Sequence, residues 1–340
     1  MTIERFLRRE IDAGSFPSAS WAVGSSRGID QTGFLGQAVA VPLRIAAAAD
    51  TIYDCASLTK PLVTTTIVLR ERALDDAIHG YTVRELLTHT SGLRAWMPLY
   101  MYDDPIRAIL EEGPECERGR RVIYSDLNFI LLWSAIEDFD RKAREQTGAL
   151  LKPPASLKPR IAATEWGQRY EMKMIAALNA ASPRGRTRAS APPRLRGTLI
   201  WGETHDGNSH HLGGGCAGNA GLFATTTEVF EMTRAIVNDP FFRDATTNHT
   251  PGMEDGRGLG WQIATGSEAT EMLSPGSFGH TGFTGTSVWV DRERDRIMVL
   301  LTNRVHPIAA ANAMQQIRGE FHRLVAPASS PAGPAASRRR

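Results

Sequence analysis

The chain has 340 residues, of which 42% are hydrophobic and 22% are charged, and its formal net charge is +2. This length and composition predict a globular protein with one large or two ordinary domains. The small net charge provides no global field for nucleic acid or an anionic membrane, and no run is long and apolar enough to span a bilayer, so we expect neither as a partner.

The amino end and the cysteines bear on location and cofactors. Charged residues such as Glu4 and Arg8 interrupt the first apolar residues, which is not the pattern of a secretory signal peptide. Cys55, Cys116 and Cys216 are odd in number and widely spaced, which indicates neither a disulfide framework nor a zinc site. We therefore expect a cytoplasmic protein with no metal and no cofactor, and the oligomeric state is left open.

Periodic patterns predict the elements at the amino end of the chain. Apolar residues at helical spacing predict a first helix near residues 3–11, and two apolar runs predict strands at 18–24 and 33–41. The next helix is predicted to begin at Ser57, a capping-type residue, and to continue to residue 72 with proline in its first turn. The chain therefore opens with a helix, a hairpin and a second helix.

The middle of the chain is predicted to be mostly helical, because apolar residues recur three and four apart at residues 82–90, 124–138 and 164–180. Strand patterns return only after residue 257, at residues 258–264, 285–291 and 296–303. A final helix is predicted over residues 306–324. The small, polar tail at 326–340 is predicted to be disordered.

Strands at both ends with helices between them predict one α/β domain built from both termini, residues 1–72 and 222–325. The mostly helical insertion spans residues 73–221, and a cleft is expected between the two parts. Within the insertion, the basic stretch 182–197 breaks the helical pattern. It is predicted to be a solvated loop, with anion binding as the alternative.

Ser57 and Lys60 form an S-x-x-K pattern at a predicted helix start. One helical turn separates them, so their side chains lie on the same face, and the N–H groups and dipole of the helix start favour negative charge near the serine. The lysine can act as a base only if a fraction is neutral, which burial and neighbouring positive charge can arrange. Alone the pattern is a weak signal, and Ser57 as an ordinary helix cap is the alternative.

Two further segments follow in order along the chain. The triplet YSD at residues 124–126 precedes an apolar helix, and GHTG at residues 279–282 lies on a predicted strand. Serine-active penicillin-recognising enzymes combine S-x-x-K with a second polar triplet and a strand-borne K-T-G. All three motifs occur here in the required order.

The sequence resembles the β-lactamase-related serine hydrolases, the family of class C β-lactamases, D-alanyl-D-alanine carboxypeptidases and several esterases. The resemblance extends from about residue 14 to 325 through the segments ASLTKP, VRELLTHTSGL, YSDLNFILL, WGETHDGN, AGNAGLFATT, FGHTGFTGTSVWVD and LLTNRVHP. It implies an α+β fold of the β-lactamase and penicillin-binding-protein type, in which an antiparallel sheet is flanked by the terminal helices and a mostly helical part is inserted.

The resemblance implies a role for each matching residue. Ser57 is the acylated nucleophile, Lys60 is its base or proton relay, and Tyr124 passes a proton between the serine and the leaving group. Its phenol can do so because the nearby lysine stabilises phenolate character. The N–H groups of Ser57 and Phe283 are implied to form the oxyanion hole.

The resemblance also places His280, Thr281 and Gly282 at the positions of K-T-G, as substrate-binding residues. Two departures matter here. Asp126 stands where class C β-lactamases have asparagine, and an ionised carboxylate can only accept hydrogen bonds. Histidine in place of lysine removes a permanent charge, so the binding of a substrate carboxylate is expected to weaken unless Arg304 supplies that charge. Both departures favour ester or uncharged amide substrates.

Structural roles are the alternatives for several of these residues. Tyr124 can simply anchor the start of its helix, His280 can make a structural hydrogen bond, and Asp126 can serve as a helix cap.

A cluster of histidines and a carboxylate invites a metal hypothesis, because these are the usual zinc ligands. The spacing of His205, Asp206, His210 and His211 matches no H-E-x-x-H helix, so we expect no metal and assign the first two residues to lining or stapling the loop. His89 is predicted to hold the turn before Gly92 through side-chain to backbone hydrogen bonds.

The sequence therefore predicts a serine hydrolase that acts through an acyl-enzyme on a small-molecule ester or amide, with esters favoured. The alternative is a non-catalytic ligand-binding or regulatory protein with the same fold. Cell-wall peptide processing is disfavoured because no export signal is seen.

Overall fold

The computed structural model describes residues 1–181, 195–309 and 313–325. The strands are β1 (Ser18–Ser25), β2 (Gly28–Val39), β3 (Ile45–Ala46), β4 (Tyr53–Asp54), β5 (Ala77–Ile78), β6 (Tyr81–Thr82), β7 (Leu150–Leu151), β8 (Leu222–Ala224), β9 (Gln262–Ile263), β10 (Phe278–Thr281), β11 (Ser287–Asp291) and β12 (Arg296–Thr302). The α-helices are α1 (Ile3–Asp12), α2 (Thr66–Glu71), α3 (Val83–Leu87), α4 (Pro105–Glu112), α5 (Asp126–Ser134), α6 (Phe139–Thr147), α7 (Arg169–Ala181), α8 (Gly207–Leu212), α9 (Thr226–Asn238) and α10 (Met314–Val325). Short 3-10 turns cover Ala56–Leu58, Leu99–Met101, Ala155–Arg160, Pro240–Phe242 and Asp244–Thr246, and a π-helical segment covers Lys60–Thr65.

Strands from both ends of the chain form one antiparallel sheet in the order β3-β2-β1-β12-β11-β10-β9. The long central pair β1 and β12 joins the two ends, with Trp21 opposite Leu300 and Val23 opposite Met298. Helices α1 and α10 flank this sheet, and the family-type α+β fold is confirmed. The predicted boundaries at residues 72 and 222 stay a prediction.

Side chains alternate between the two faces of the sheet, as the period of two in a strand requires. On one face, Trp21, Trp289 and Met298 pack with Phe6 of α1 and Phe321 of α10 in one buried cluster. The residues between them point to the other face, where they join a larger buried cluster that includes α9 and the segment after Ser57. The sheet is therefore covered on both faces, and the nucleophile segment is packed into the larger core.

The predicted helix at residues 57–72 is not one regular α-helix. A 3-10 turn, a π-helical segment and an α-helix that ends at Glu71 follow one another. Pro61 has no N–H, so it cannot take part in the regular series of helical hydrogen bonds, and π-helical segments are frequent at functional sites. The hydroxyl of Thr66 donates to the Leu62 carbonyl at 3.1 Å and satisfies part of this irregular backbone.

Between β2 and residue 257, where no strand was predicted, six strands of two or three residues each do occur in the described part of the chain. Of the strand predicted at 258–264, only Gln262–Ile263 forms. Gly260 has a φ of 75° and donates to the Leu87 carbonyl instead, so the backbone there turns away from the sheet.

The last helix begins at Met314, so the predicted start at residue 306 is wrong. His306 lies in a turn in which its Nε2 accepts from the Ala40 N–H at 3.0 Å. The predicted tail at 326–340 and residues 182–194 of the basic loop lie outside the described residues.

Candidate active site

Ser57 lies in the 3-10 turn that follows β4, and its side chain is partly exposed in a cavity of about 490 Å³. The preceding residue, Ala56, has a φ of 47°, an uncommon conformation for a residue with a side chain. Asp54 stabilises it, because Oδ1 of this buried carboxylate accepts from the Ala56 N–H at 2.8 Å. Its Oδ2 accepts from the His205 N–H at 2.7 Å, so one carboxylate ties the nucleophile turn to a distant loop. Sequence analysis missed Asp54.

The turn between β10 and β11 holds the nucleophile segment from the other side. Thr284 donates to the Asp54 carbonyl at 2.7 Å, and Thr286 donates to the Cys55 carbonyl at 3.0 Å. This turn also carries Gly282 and Phe283, both of which line the cavity with Ser57. The two predicted oxyanion donors, the N–H groups of Ser57 and Phe283, therefore belong to backbone segments that are bonded to each other.

Lys60 is fully buried beneath Ser57. Its Nζ donates to Ser57 Oγ at 3.0 Å and to the Asn219 carbonyl at 2.9 Å, and it lies 2.6 Å from Oδ1 of Asp126. The ammonium is also 5.1 Å from the centre of the Tyr124 ring. Three polar groups therefore surround the lysine, and one of them is the candidate nucleophile.

The charge state of Lys60 is determined by burial and by the carboxylate beside it. Burial acts to lower its pKa, but the Asp126 carboxylate and, to a smaller extent, Tyr124 outweigh burial and raise the pKa above its usual value. The condition for a neutral amine, burial together with neighbouring positive charge, is met only in part, because Lys60 is buried but its neighbour is a carboxylate. The ammonium form therefore predominates at neutral pH, which favours the relay role over that of a free base.

Asp126 is the first residue of α5, and Ser125 precedes it as the N-cap residue. The cap alternative for Asp126 is wrong, because its carboxylate contacts Lys60 instead of the helix backbone. Burial raises the pKa of Asp126, and the adjacent ammonium opposes this effect. Asp126 also lines the cavity, and its predicted contact with a substrate stays a prediction.

Tyr124 lies between two histidine rings, with centroid distances of 4.7 Å to His89 and 5.8 Å to His280. His89 is buried, and its Nδ1 accepts from the Ser125 N–H at 3.0 Å. The prediction that His89 holds the turn before Gly92 is therefore wrong, because its side chain holds the YSD segment. Burial lowers the pKa of His89 well below its usual value, so the ring is neutral. It places Tyr124 without adding charge.

His280 is buried at the edge of the cavity, on β10, and its pKa lies well below its usual value because of burial and, secondarily, the charges of Lys60 and Arg257. Its Nδ1 donates to the carbonyl of the adjacent Thr281 at 2.9 Å, so this hydrogen bond lies within β10 and does not cross the cleft. Because His280, Thr281 and Arg304 all line the cavity, the substrate-contact role stays a prediction.

Arg304 lies over the ring of Phe283, with 4.6 Å between the guanidinium carbon and the ring centre. On another side of this ring, His205 stacks at 5.5 Å and hydrogen-bonds with the buried Glu165 at 3.1 Å. Tyr170 contacts the same ring at 4.5 Å. The Phe283 side chain is thus held by a cation and two rings, which fixes the backbone that carries the predicted oxyanion donor.

The metal hypothesis finds no support in the described part of the chain, where no group of three histidine, cysteine, aspartate or glutamate side chains is arranged to hold an ion. His210 and His211 lie on the short helix α8, not in a loop as expected, and their rings meet edge to face. Asp206 accepts from the Ser209 N–H at 2.7 Å and caps this helix.

Sequence analysis missed two arginines that line the cavity, Arg257 and Arg318. Arg318 is 5% exposed and donates to the carbonyls of Gly282 and Thr286 at 3.3 and 3.1 Å. Burial and the nearby Arg304 lower its pKa to about 9, which leaves the guanidinium charged at neutral pH. The sequence contained a signal for Arg318, because this arginine lies on the apolar stripe of the last helix, where a buried charge is unusual.

Across the described ranges, no helix has the length and hydrophobicity needed to span a membrane.

Comparisons with known proteins agree on one family. The family model described as Beta-lactamase matches residues 3–321. A putative D-alanyl-D-alanine carboxypeptidase from Escherichia coli (strain K12) is 26% identical, and the alignment covers 90% of this chain and 83% of that protein.

Among solved structures, EstCE1, described as a hydrolase with promiscuous acyltransferase activity, superposes with a TM-score of 0.68 at 14% identity over 95% of this chain and 97% of that one. A class C β-lactamase superposes with a TM-score of 0.66 at 15% identity over 95% of each chain. At these identities the structural matches show the fold, and together with the family model they confirm the predicted resemblance.

Proposed function

The chain belongs to the beta-lactamase family of serine hydrolases, and from this premise we propose that it hydrolyses esters or amides through an acyl-enzyme on Ser57. The observation that carries the proposal is the 3.0 Å hydrogen bond from Lys60 Nζ to Ser57 Oγ at the wall of an open cavity. Nucleophile and lysine lie within hydrogen-bond reach, as covalent catalysis requires.

In the proposed reaction, Ser57 Oγ attacks the substrate carbonyl carbon while its proton moves to the phenolate form of Tyr124, which becomes a neutral phenol, and the Lys60 ammonium is the neighbouring member of the relay. The carbonyl oxygen becomes negative and accepts hydrogen bonds from the N–H groups of Ser57 and Phe283. The proton passes to the departing alcohol or amine, which leaves an ester on Ser57. Water then attacks this ester, the serine regains its proton, and the acid product is released.

Esters and uncharged amides are the favoured substrates in this proposal. Asp126 faces the cavity beside Lys60, where an ionised carboxylate repels the carbonyl oxygen of an acylamino side chain. His280 adds no charge at neutral pH, because its pKa is lowered by burial. The fold match to a hydrolase with promiscuous acyltransferase activity agrees with a site that transfers acyl groups from esters.

Arginines favour a second candidate, a peptidase-type activity on substrates that end in a carboxylate. Arg304 and the buried Arg318 both line the cavity, so an anionic end group meets two guanidinium ions even though His280 is neutral. The E. coli relative is described as a putative D-alanyl-D-alanine carboxypeptidase. This candidate differs from the first in the leaving group, not in the acyl-enzyme on Ser57.

Mass spectrometry after incubation with p-nitrophenyl acetate, a penicillin and a fluorophosphonate probe tests the proposal, with peptide mapping of every adduct. We expect an adduct on Ser57 that the Ser57→Ala variant lacks. Rapid loss of the acetyl adduct with a lasting penicilloyl adduct supports the esterase, whereas release of D-alanine from a D-alanyl-D-alanine peptide supports the second candidate. No adduct in a folded sample favours the non-catalytic ligand-binding alternative.

A further inference from the structure

In the family motif K-T-G, a lysine at position 280 would place a positive charge beside Tyr124, and this chain has histidine there. Position 280, where K-T-G has lysine, holds a buried neutral imidazole whose Nδ1 is engaged by the Thr281 carbonyl. Its Nε2 has no hydrogen-bond partner among the described residues. Lys60 is charged, but Asp126 lies 2.6 Å from its ammonium and balances it.

Arg257 is a second cation beside Tyr124. Its guanidinium carbon is 5.4 Å from the centre of the phenol ring, close to the 5.1 Å of the Lys60 ammonium. The side chain lines the catalytic cavity and is only 7% exposed. A cation at this distance from an aromatic ring is attracted to it, and the attraction grows when water is excluded.

The position of Arg257 is fixed by its own segment. Its N–H donates to Thr250 Oγ1 at 2.8 Å, and its carbonyl accepts from the His249 N–H at 2.7 Å. Asp255 accepts from Nε at 3.1 Å and from a terminal nitrogen, but this carboxylate is 33% exposed and therefore more screened by solvent. The ion pair thus has its positive end at the cavity and its negative end towards water.

We propose that Arg257 is an electrostatic positioning residue, which stabilises the phenolate form of Tyr124 that takes the proton of Ser57, and so substitutes for the cation missing at position 280. A fixed charge beside an ionised group contributes most where water is excluded, and the buried guanidinium meets this condition. The inference rests on the proposed acyl-enzyme function, because Tyr124 acts only through the acylation of Ser57.

The test compares Arg257→Gln, Arg257→Lys and the double variant Arg257→Gln/His280→Lys by the rate of Ser57 acylation with p-nitrophenyl acetate and a neutral fluorophosphonate. We expect Arg257→Gln to slow acylation roughly 10- to 30-fold, the equivalent of a desolvated cation and ring contact. Arg257→Lys keeps the charge and should stay within about threefold of the parent. The double variant should recover most of the loss, because it returns a cation to the same cavity from the neighbouring strand.

Arg292→Gln is the matched control. Arg292 also lies over an aromatic ring, at 4.9 Å from the centre of Phe278, but it does not line the cavity in the described part of the chain. Its loss should leave acylation unchanged. Unfolding temperatures identify variants with a disturbed fold.

A charge readout separates this inference from the proposed function. Arg257 contributes to the low pKa of His89 and His280, so in Arg257→Gln both imidazoles should titrate at higher pH by NMR. If the parent protein acylates and Arg257→Gln is equally fast, the inference is overturned. It is also overturned if folded Arg257→Lys is as slow as Arg257→Gln, because charge is then not the cause. If no variant or parent acylates but the NMR shift occurs, the proposed function fails while the placement of the charge stands.

Discussion

Gly282→Ala is expected to damage the oxyanion hole while leaving the fold in place. A Cβ at this position would lie 2.6 Å from the Cys55 carbonyl oxygen and 3.4 Å from the Ala56 Cβ, and it would also meet the Thr286 hydroxyl. The carbonyl is backbone, so it cannot rotate away as a flexible side chain does. The turn that carries Phe283 and the segment that carries Ser57 must therefore separate by about 0.8 Å to reach the shortest ordinary contact.

This displacement falls between the two predicted oxyanion donors, the N–H groups of Ser57 and Phe283. The loss of one such donor typically costs about 10²- to 10³-fold in kcat, so we expect a loss of this order in p-nitrophenyl acetate hydrolysis. Overpacking at a buried position also destabilises a protein by about 1–3 kcal/mol, so the unfolding temperature should fall by a few degrees without loss of the cooperative transition. Stopped-flow kinetics and thermal unfolding give the two quantities.

Gly197→Ala is the matched control, because a Cβ at Gly197 meets no atom of the described residues within 4 Å. It should keep both activity and stability. A folded Gly282→Ala variant with the parent kcat would refute the reasoning, because the spacing between the two segments would then not set the catalytic rate, and Phe283 would lose its assignment as an oxyanion donor.

Three further predictions concern charge. Asp126→Asn removes the carboxylate that raises the pKa of Lys60, so the Lys60 ammonium is lost at lower pH and the alkaline limb of the kcat/KM profile for p-nitrophenyl acetate should move to lower pH; an unmoved limb would show that Lys60 does not control it. His280→Lys should improve the turnover of anionic β-lactams relative to neutral esters, and equal turnover would point to Asp126 or to pocket shape as the limit. Burial lowers the pKa of His322 to about 4, below its usual 6.5, so the unfolded chain binds more protons and stability is lost as pH falls through this window. His322→Gln should therefore lose about 2 kcal/mol less than the parent between pH 7 and pH 5 in urea unfolding, and an equal loss would exclude His322 as the cause.

The elements that sequence predicted best are those with strong local periodicity. The two central strands at residues 18–25 and 296–302 alternate between two buried faces, so the pattern of apolar residues determines where they begin and end. The nucleophile helix was predicted less well, because the backbone that leads into its 3-10 turn is held by hydrogen bonds from Thr284 and Thr286, more than two hundred residues away. Local patterns contain no information about such contacts.

In the candidate site, too, the residues in local motifs were predicted and the residues that act through distant contacts were not. Ser57, Lys60 and Tyr124 were found because each lies in a motif with fixed spacing; the structure brings Ser57 and Tyr124 to one cavity, and Lys60 is hydrogen-bonded to Ser57 beneath it. Asp54 and Asn219 were not found, because a carboxylate before a turn and a backbone carbonyl in a glycine-rich segment carry no local signal. Their function depends on distances that only the folded chain defines, such as the 2.9 Å from the Asn219 carbonyl to Lys60.

Charge distribution links these observations to substrate choice. Asp126 and Asp206 line the cavity near Lys60, whereas Arg304 and Arg318 line it near Phe283 and the last helix. A substrate that is neutral at the scissile carbonyl avoids the carboxylates, and a carboxylate at its far end gains the guanidinium ions. Arg318 is buried, and its hydrogen bonds go to the backbone carbonyls of Gly282 and Thr286. These acceptors carry no formal charge, so they leave the guanidinium charge uncompensated. Short esters therefore test the reacting centre alone, and esters that differ only in a terminal carboxylate test whether the arginines select the substrate.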